Sequence, residues 1–151
     1  MLATPKTFGF DEILVPELRL LAQQGELASP GKAVQKLRAA ALAHLRDRAA
    51  EDLTPPADWR RKSAMGRRCG DCTDFSRFLN DPAQKVFVLR AVESARSHLE
   101  QAMRAACCDA DATTERKGRP YSLIATKNRA SYDRRVAQRR QDLEHISIIA
   151  G

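Results

Sequence analysis

Two cysteines three positions apart, Cys69-Gly70-Asp71-Cys72, constrain this chain more than any other feature. A Cys-x-x-Cys turn brings two sulfurs within reach of one ion, because Gly70 permits the tight backbone. Zinc takes four N or S ligands in a tetrahedron, so the motif calls for further donors from elsewhere in the chain. His98 is the natural third, 26 residues after Cys72 and on a predicted helix. A metal held this way staples together segments that a small core would otherwise leave loose.

The fourth ligand is open. Cys107 and Cys108 follow His98 on the same predicted helix. Nine residues turn a helix by about 900° and advance it by about 13.5 Å, which puts Cys107 on the opposite face. The pair can join only if the helix breaks after about Met103. His145 or His44 could reach in from another helix, and Asp71 or water could complete the shell. Without a metal role, Cys107 and Cys108 read as small, partly buried apolar groups at a helix end.

Hydrophobic periodicity fills in the rest. The apolar stretch Ile13-Leu14-Val15 leads into a helix with Pro16 in its first turn that runs to about Gln24 and is closed by Gly25. Ser29-Pro30 opens a second helix, with Val34, Leu37, Ala41, Leu45 and Ala49 on its apolar face. Thr54-Pro55-Pro56 ends the helical part, since a residue before proline disfavours the helical region. A charged connector runs to residue 68, and a short helix follows the cysteines until Asn80-Asp81-Pro82. Residues 85–90 fit a short strand or the start of the next helix, which carries Val92, Ala95, Leu99, Ala102 or Met103, and Ala106 on one face. Residues 109–114 read as a polar break and Tyr121 to Thr126 as a half-buried edge strand. A last helix, about 129–145, turns Tyr132, Val136 and Leu143 inward. The group Leu18, Leu20, Leu21 and Leu27 exceeds what one short helix buries alone, which suggests a docking surface.

The chain has 151 residues, 26 of them Lys or Arg against 19 Asp or Glu, for a net charge of +7. The basic residues fall in three groups: Arg60, Arg61, Lys62, Arg67 and Arg68; Arg116, Lys117 and Arg119; and Lys127, Arg129, Arg134, Arg135, Arg139 and Arg140. Converging basic clusters create a field that attracts polyanions. Aromatics are only 5% of the chain, too few for the stacking platforms of a single-strand reader, so backbone contact with a duplex is the expected mode. No apolar run approaches the roughly 18 residues of a membrane span, and the first ten residues lack the pattern of a signal peptide. An intracellular location is expected, cytoplasmic or, in a eukaryote, nuclear, with no membrane partner.

Two catalytic alternatives read less well. A thioredoxin-type dithiol needs a buried strand immediately before the first cysteine, where this chain has a basic connector. His98, Glu100 and His145 have the spacing of an iron facial triad, whose ligands belong on barrel strands, yet all three fall on predicted helices. There is no glycine-rich phosphate loop, no nucleophile elbow and no pair of carboxylates in an apolar setting.

The segments Cys69-Gly70-Asp71-Cys72, Phe78-Leu79-Asn80-Asp81-Pro82, Arg96-Ser97-His98-Leu99 and Thr114-Glu115-Arg116-Lys117-Gly118-Arg119-Pro120, with Leu123 and Thr126-Lys127, form a recognisable set. Together they resemble a cysteine/histidine region near the C-terminus of large, largely fungal proteins, some carrying a 2-oxoglutarate/iron oxygenase-like domain. The resemblance covers about residues 55–143. That group often reads Cys-x-Cys-x-x-Cys, and this chain has Arg67 at the first of those positions. The resemblance implies a metal-binding accessory module with Cys69, Cys72 and His98 at matching positions, and no catalysis in this segment.

The expectation is an α+β fold, mostly helical, with an N-terminal helical part over residues 1–54. A small zinc-stabilised αβ unit with one or two short strands follows over 55–151. It would bind zinc and, through the basic clusters, nucleic acid or another polyanion. The alternative is a protein-interaction or accessory domain of a larger assembly, associated with an oxygenase-like enzyme.

Overall fold

The computed structural model describes residues 9–62, 65–66 and 69–151. The chain divides into two compact units, one made of Met1–Leu53 with Arg135–Gly151 and the other of Thr54–Arg134. The first break falls between Leu53 and Thr54. The last helix, assigned from sequence to the cysteine module, instead gives its residues from Arg135 onward to the N-terminal unit. Among the described residues the fold is mostly helical α+β, and no helix is long and apolar enough to cross a membrane.

In the N-terminal unit a wide π-type turn, Phe10–Leu14, leads into α1, Val15–Gln23, with Pro16 in the first turn. Gly25 ends this segment at φ 77°, a left-handed conformation that glycine adopts without a Cβ clash. A single 3-10 turn, Glu26–Ala28, precedes α2, Lys32–Ala50. Gly31 sits at the α2 N-cap, so Ser29-Pro30 lies ahead of the helix rather than in it. The core joins Val15, Leu18, Leu27, Ala41, Leu42 and Leu45 to Ile149. Leu37, expected inward, is exposed, and Leu42 takes the inward place. Of the proposed leucine docking group, Leu18 and Leu27 are buried in this core, and Leu20 is exposed.

The last helix, α5, spans Ala130–Ala150. Val136 and Leu143 are exposed and Tyr132 is half-buried, contrary to expectation; the buried positions are Asp142 and Ile149. The periodicity misled because the inward position opposite α2 is a carboxylate. Arg48 of α2 donates from Nε to Asp142 Oδ2 at 2.8 Å and from Nη2 to Oδ1 at 2.7 Å. The same guanidinium reaches Asp11 at 2.7 and 2.9 Å. Arg38 donates to the Ile149 and Ala150 carbonyls, satisfying acceptors that the α5 C-terminus leaves open.

In the second unit α3, Gly70–Asn80, and α4, Glu93–Ala105, accompany a three-stranded antiparallel sheet. The strands are β1, Val86–Arg90; β2, Ala110–Glu115; and β3, Ser122–Lys127, in the order β1-β3-β2. Register pairs Val88 with Ile124 and Ala112 with Ala125. Two expectations change. The polar break at 109–114 is strand β2, legible only through its β-branched Thr113 and Thr114, since an edge strand tolerates polar residues. Strand β3 is central rather than edge, and Pro120 stays outside it, where its missing N–H costs the ladder nothing.

Leu123 and Ala125 of β3 meet Cys72, Phe75, Phe78, Leu79, Leu99, Ala102 and Met103 of α3 and α4 in one core. Phe75, Phe78 and Phe87 pack with ring centroids 5.3–5.4 Å apart, a spacing at which aromatic edges and faces attract. Outward-facing Val86 and Val88 are exposed, the alternation of a sheet covered on one side.

Candidate metal centre

Local rules place the donors. Cys69 is the N-cap of α3, and its Sγ accepts the Cys72 backbone N–H at 3.3 Å. One helical turn later Cys72 faces inward and is fully buried at the top of the core. His98 projects from α4, one position before the buried Leu99, so the packing of α4 that buries Leu99 also aims the imidazole at the α3 N-terminus. His98 Nε2 lies 3.3 Å from Cys69 Sγ and 3.6 Å from Cys72 Sγ. All three donor atoms fall within 4.8 Å of one another.

These separations suit an ion at the centre. Zinc–sulfur and zinc–nitrogen bonds at a tetrahedral angle require S···N edges of about 3.6 Å. The hydrogen bond from the Cys72 thiol, reinforced by the Cys72 backbone N–H, holds the Cys69 thiol below the usual range and favours the thiolate that a metal needs. The cluster can therefore hold a metal ion.

The other candidate ligands do not join it among the described residues. Cys108 is half-buried against the core, and burial pushes its thiol up, away from the thiolate form. Cys107 is exposed. His145 contacts Arg19, and His44 stacks on Phe10 at 5.0 Å near Asp11; both histidines belong to the N-terminal unit.

The paired cysteines have a structural explanation instead. Cys108 N–H bonds to the Met103 carbonyl and Cys107 N–H to the Arg104 carbonyl, the Schellman pattern that closes a helix. Cys107 occupies its left-handed position at φ 49°, where glycine is the usual residue, and Cys108 supplies the apolar contact behind it. Cys107→Gly is expected to raise stability by about 0.5–1 kcal/mol through relief of that conformation, measured by urea unfolding. Metal content should stay unchanged.

The basic residues are spread unevenly. Arg60, Lys62, Arg116, Lys117, Arg119, Arg129 and Arg134 are exposed on the second unit, whereas Arg135, Arg139 and Arg140 belong to the N-terminal one. Several are partly neutralised: Lys117 by Glu115, Arg129 by Asp133, Arg134 by Asp109 and Arg135 by Glu51. Arg67 and Arg68 lie outside the described residues. Arg61 and Lys127 are not surface charges at all, being 6% and 2% exposed. Arg61 donates to the Asp58, Arg60 and Asn128 carbonyls, and Lys127 Nζ donates to the Asp81 carbonyl at 2.7 Å.

Sequence reasoning missed a cavity of about 570 Å³ in the same unit, with Trp59, Arg61 and Lys127 among the residues that line it. The segment carrying Trp59 reads as an aperiodic connector, yet the Trp59 N–H bonds to the Pro82 carbonyl and the Arg61 N–H to the Leu79 carbonyl. Comparison with protein-family models, with curated proteins and with solved structures finds no match to this chain.

Proposed function

We propose that the protein is a zinc-stapled basic module that binds nucleic acid through its phosphate backbone. The observation that carries the reading is the convergence of Cys69, Cys72 and His98 from two helices over one core. Two sulfurs and an imidazole form a donor set that suits zinc and disfavours the hard cations magnesium and calcium. The ion would tie the α3 N-terminus to α4 and so hold the second unit together from one end of its core. Arg60, Lys62, Arg116 and Arg119 are exposed on that unit and carry no carboxylate within ion-pair distance among the described residues. They are the charges free to meet phosphates.

Elemental analysis of protein purified without a histidine tag should find about one zinc per chain. Titration against a short DNA duplex should give an affinity that falls by roughly a hundredfold between 50 and 200 mM salt, as four phosphate contacts predict. Arg116→Ala with Arg119→Ala should weaken binding about tenfold in low salt without moving the thermal midpoint. Absence of binding to duplex and to single strands in low salt overturns the nucleic-acid reading.

A second reading, an accessory module that docks on a protein, is favoured by one observation: Ile13, Leu20 and Leu37 of the N-terminal unit are 64%, 48% and 49% exposed. A strict monomer that co-purifies with nothing counts against it.

A further inference from the structure

The cavity beside Trp59 holds charge that the metal centre and the surface arginines leave unexplained. Arg61 and Lys127, both more than nine-tenths buried, line it. Their described hydrogen-bond partners are neutral carbonyls, and among the described residues neither has a carboxylate within ion-pair distance. Burying a cation without a direct ion pair is costly, because carbonyl dipoles replace water only in part. Burial pushes the Lys127 ammonium down from its ordinary value, with Arg61 adding repulsion against the nearby Asp81 and Asp58.

Two further cations, Lys85 and Arg129, stand exposed at the rim. The acids of the lining are Asp58 and Asp133. Asp58 accepts the Arg60 N–H at 2.8 Å, and Asp133 faces Arg129 at 3.3 Å. The lining itself sets four cations against two carboxylates, with Asp81 a third acid close to Lys127, so the cavity keeps a net positive charge.

We propose that this cavity binds a small phosphate-bearing organic molecule, its phosphate on the Arg61, Lys85, Lys127 and Arg129 side and its organic part against Trp59 and Pro56. A phosphomonoester, which carries about −1.5 to −2 at neutral pH, suits this net positive lining. A carboxylate offers too few oxygens for four cationic donors. The volume exceeds what a bare phosphate fills and falls within the roughly 300–1,000 Å³ of small-molecule sites. Trp59 already attracts cations to its ring, Lys85 Nζ at 4.8 Å and the Arg61 guanidinium at 5.5 Å. An arriving phosphate would draw Lys85 off the indole and open its face to the organic part.

Trp59 is the only tryptophan of the chain, so its emission reports on this cavity directly. Titration of the full chain with AMP as probe should shift that emission saturably, with inorganic phosphate competing at higher concentration and adenosine without effect. Lys85→Ala and Arg129→Ala, both at exposed positions, should each weaken the AMP response about tenfold and leave the thermal midpoint in place. No saturable change up to about 10 mM AMP overturns the proposal. So does an equal response to adenosine, or a response confined to a DNA duplex, which would make the cavity part of a nucleic-acid surface. The duplex and AMP titrations fail independently, so the two readings are told apart.

Discussion

Cys72→Ser is expected to empty the metal centre and unfold the Thr54–Arg134 unit at temperatures where the wild type stands. Cys72 is the one donor that is both fully buried and part of the core. A serine oxygen is a poor zinc ligand, so the variant loses a thiolate and leaves the imidazole and one sulfur to hold the ion. Because structural zinc contributes folding free energy directly, the cost should reach about 4 kcal/mol or more. In a unit of this size that is a fall of roughly 15–30 °C in the thermal midpoint. The packing loss of the substitution is smaller, about 1–2 kcal/mol, and separable. Chelator should lower the wild-type midpoint and leave that of the variant where it is, while added zinc should rescue only the wild type. Cys108→Ser, which touches the same core but not the cluster, should keep its zinc. A wild-type protein that stays folded and indifferent to chelator overturns the site.

Asp142→Ala should be the most damaging single change in the other unit, at about 3–5 kcal/mol by urea unfolding. Asp142 is fully buried and takes both oxygens to one Arg48 guanidinium, with Gln138 donating to it as well. Removing the carboxylate strands part of a cation inside. Asp11 binds the same guanidinium from a half-exposed position, so Asp11→Ala should cost no more than about 1 kcal/mol. Paired replacement, Arg48→Met with Asp142→Leu, should recover most of the loss, since no buried charge then remains unmatched and the half-exposed Asp11 carboxylate is solvated. The hydrogen bond from Arg48 holds the Asp11 carboxyl below the ordinary aspartate range. Its contribution is therefore complete above that range and is lost as pH falls through the lowered value. Replacing Arg48 should therefore lower stability above that range and remove the fall that Asp11 contributes below it, flattening the profile there.

The metal cluster was legible because its chemistry is local: a spacing of three brings two sulfurs together at a helix start, and His98 needed only its helix to pack. The helices were legible wherever an apolar face points at a core, as at Leu18 and Leu45. They were misread where the buried position is polar, because periodicity counts apolar residues and cannot see that Asp142 meets an arginine 94 positions away. Strand β2 was hidden for a related reason, its pairing with β3 resting on backbone hydrogen bonds that any side chain permits. Composition counted Arg61 and Lys127 among the surface charges, since a charged residue bonded to carbonyls in the interior looks the same in sequence as one in water.

The break at Leu53 and the return at Arg135 have a consequence for how the chain is made. Residues 54–134 are contiguous and emerge from the ribosome as one finished piece. The unit around Leu45 and Arg48 must wait for Asp142 and Ile149, which at about 5–20 residues per second arrive some 5–20 s after Arg48 is synthesised. During that interval a hydrophobic face is open to the cell, and the Arg48 guanidinium has Asp11 but not Asp142 to meet it. A chaperone that holds the nascent N-terminal helices has a defined window in which to act, and it closes when α5 docks.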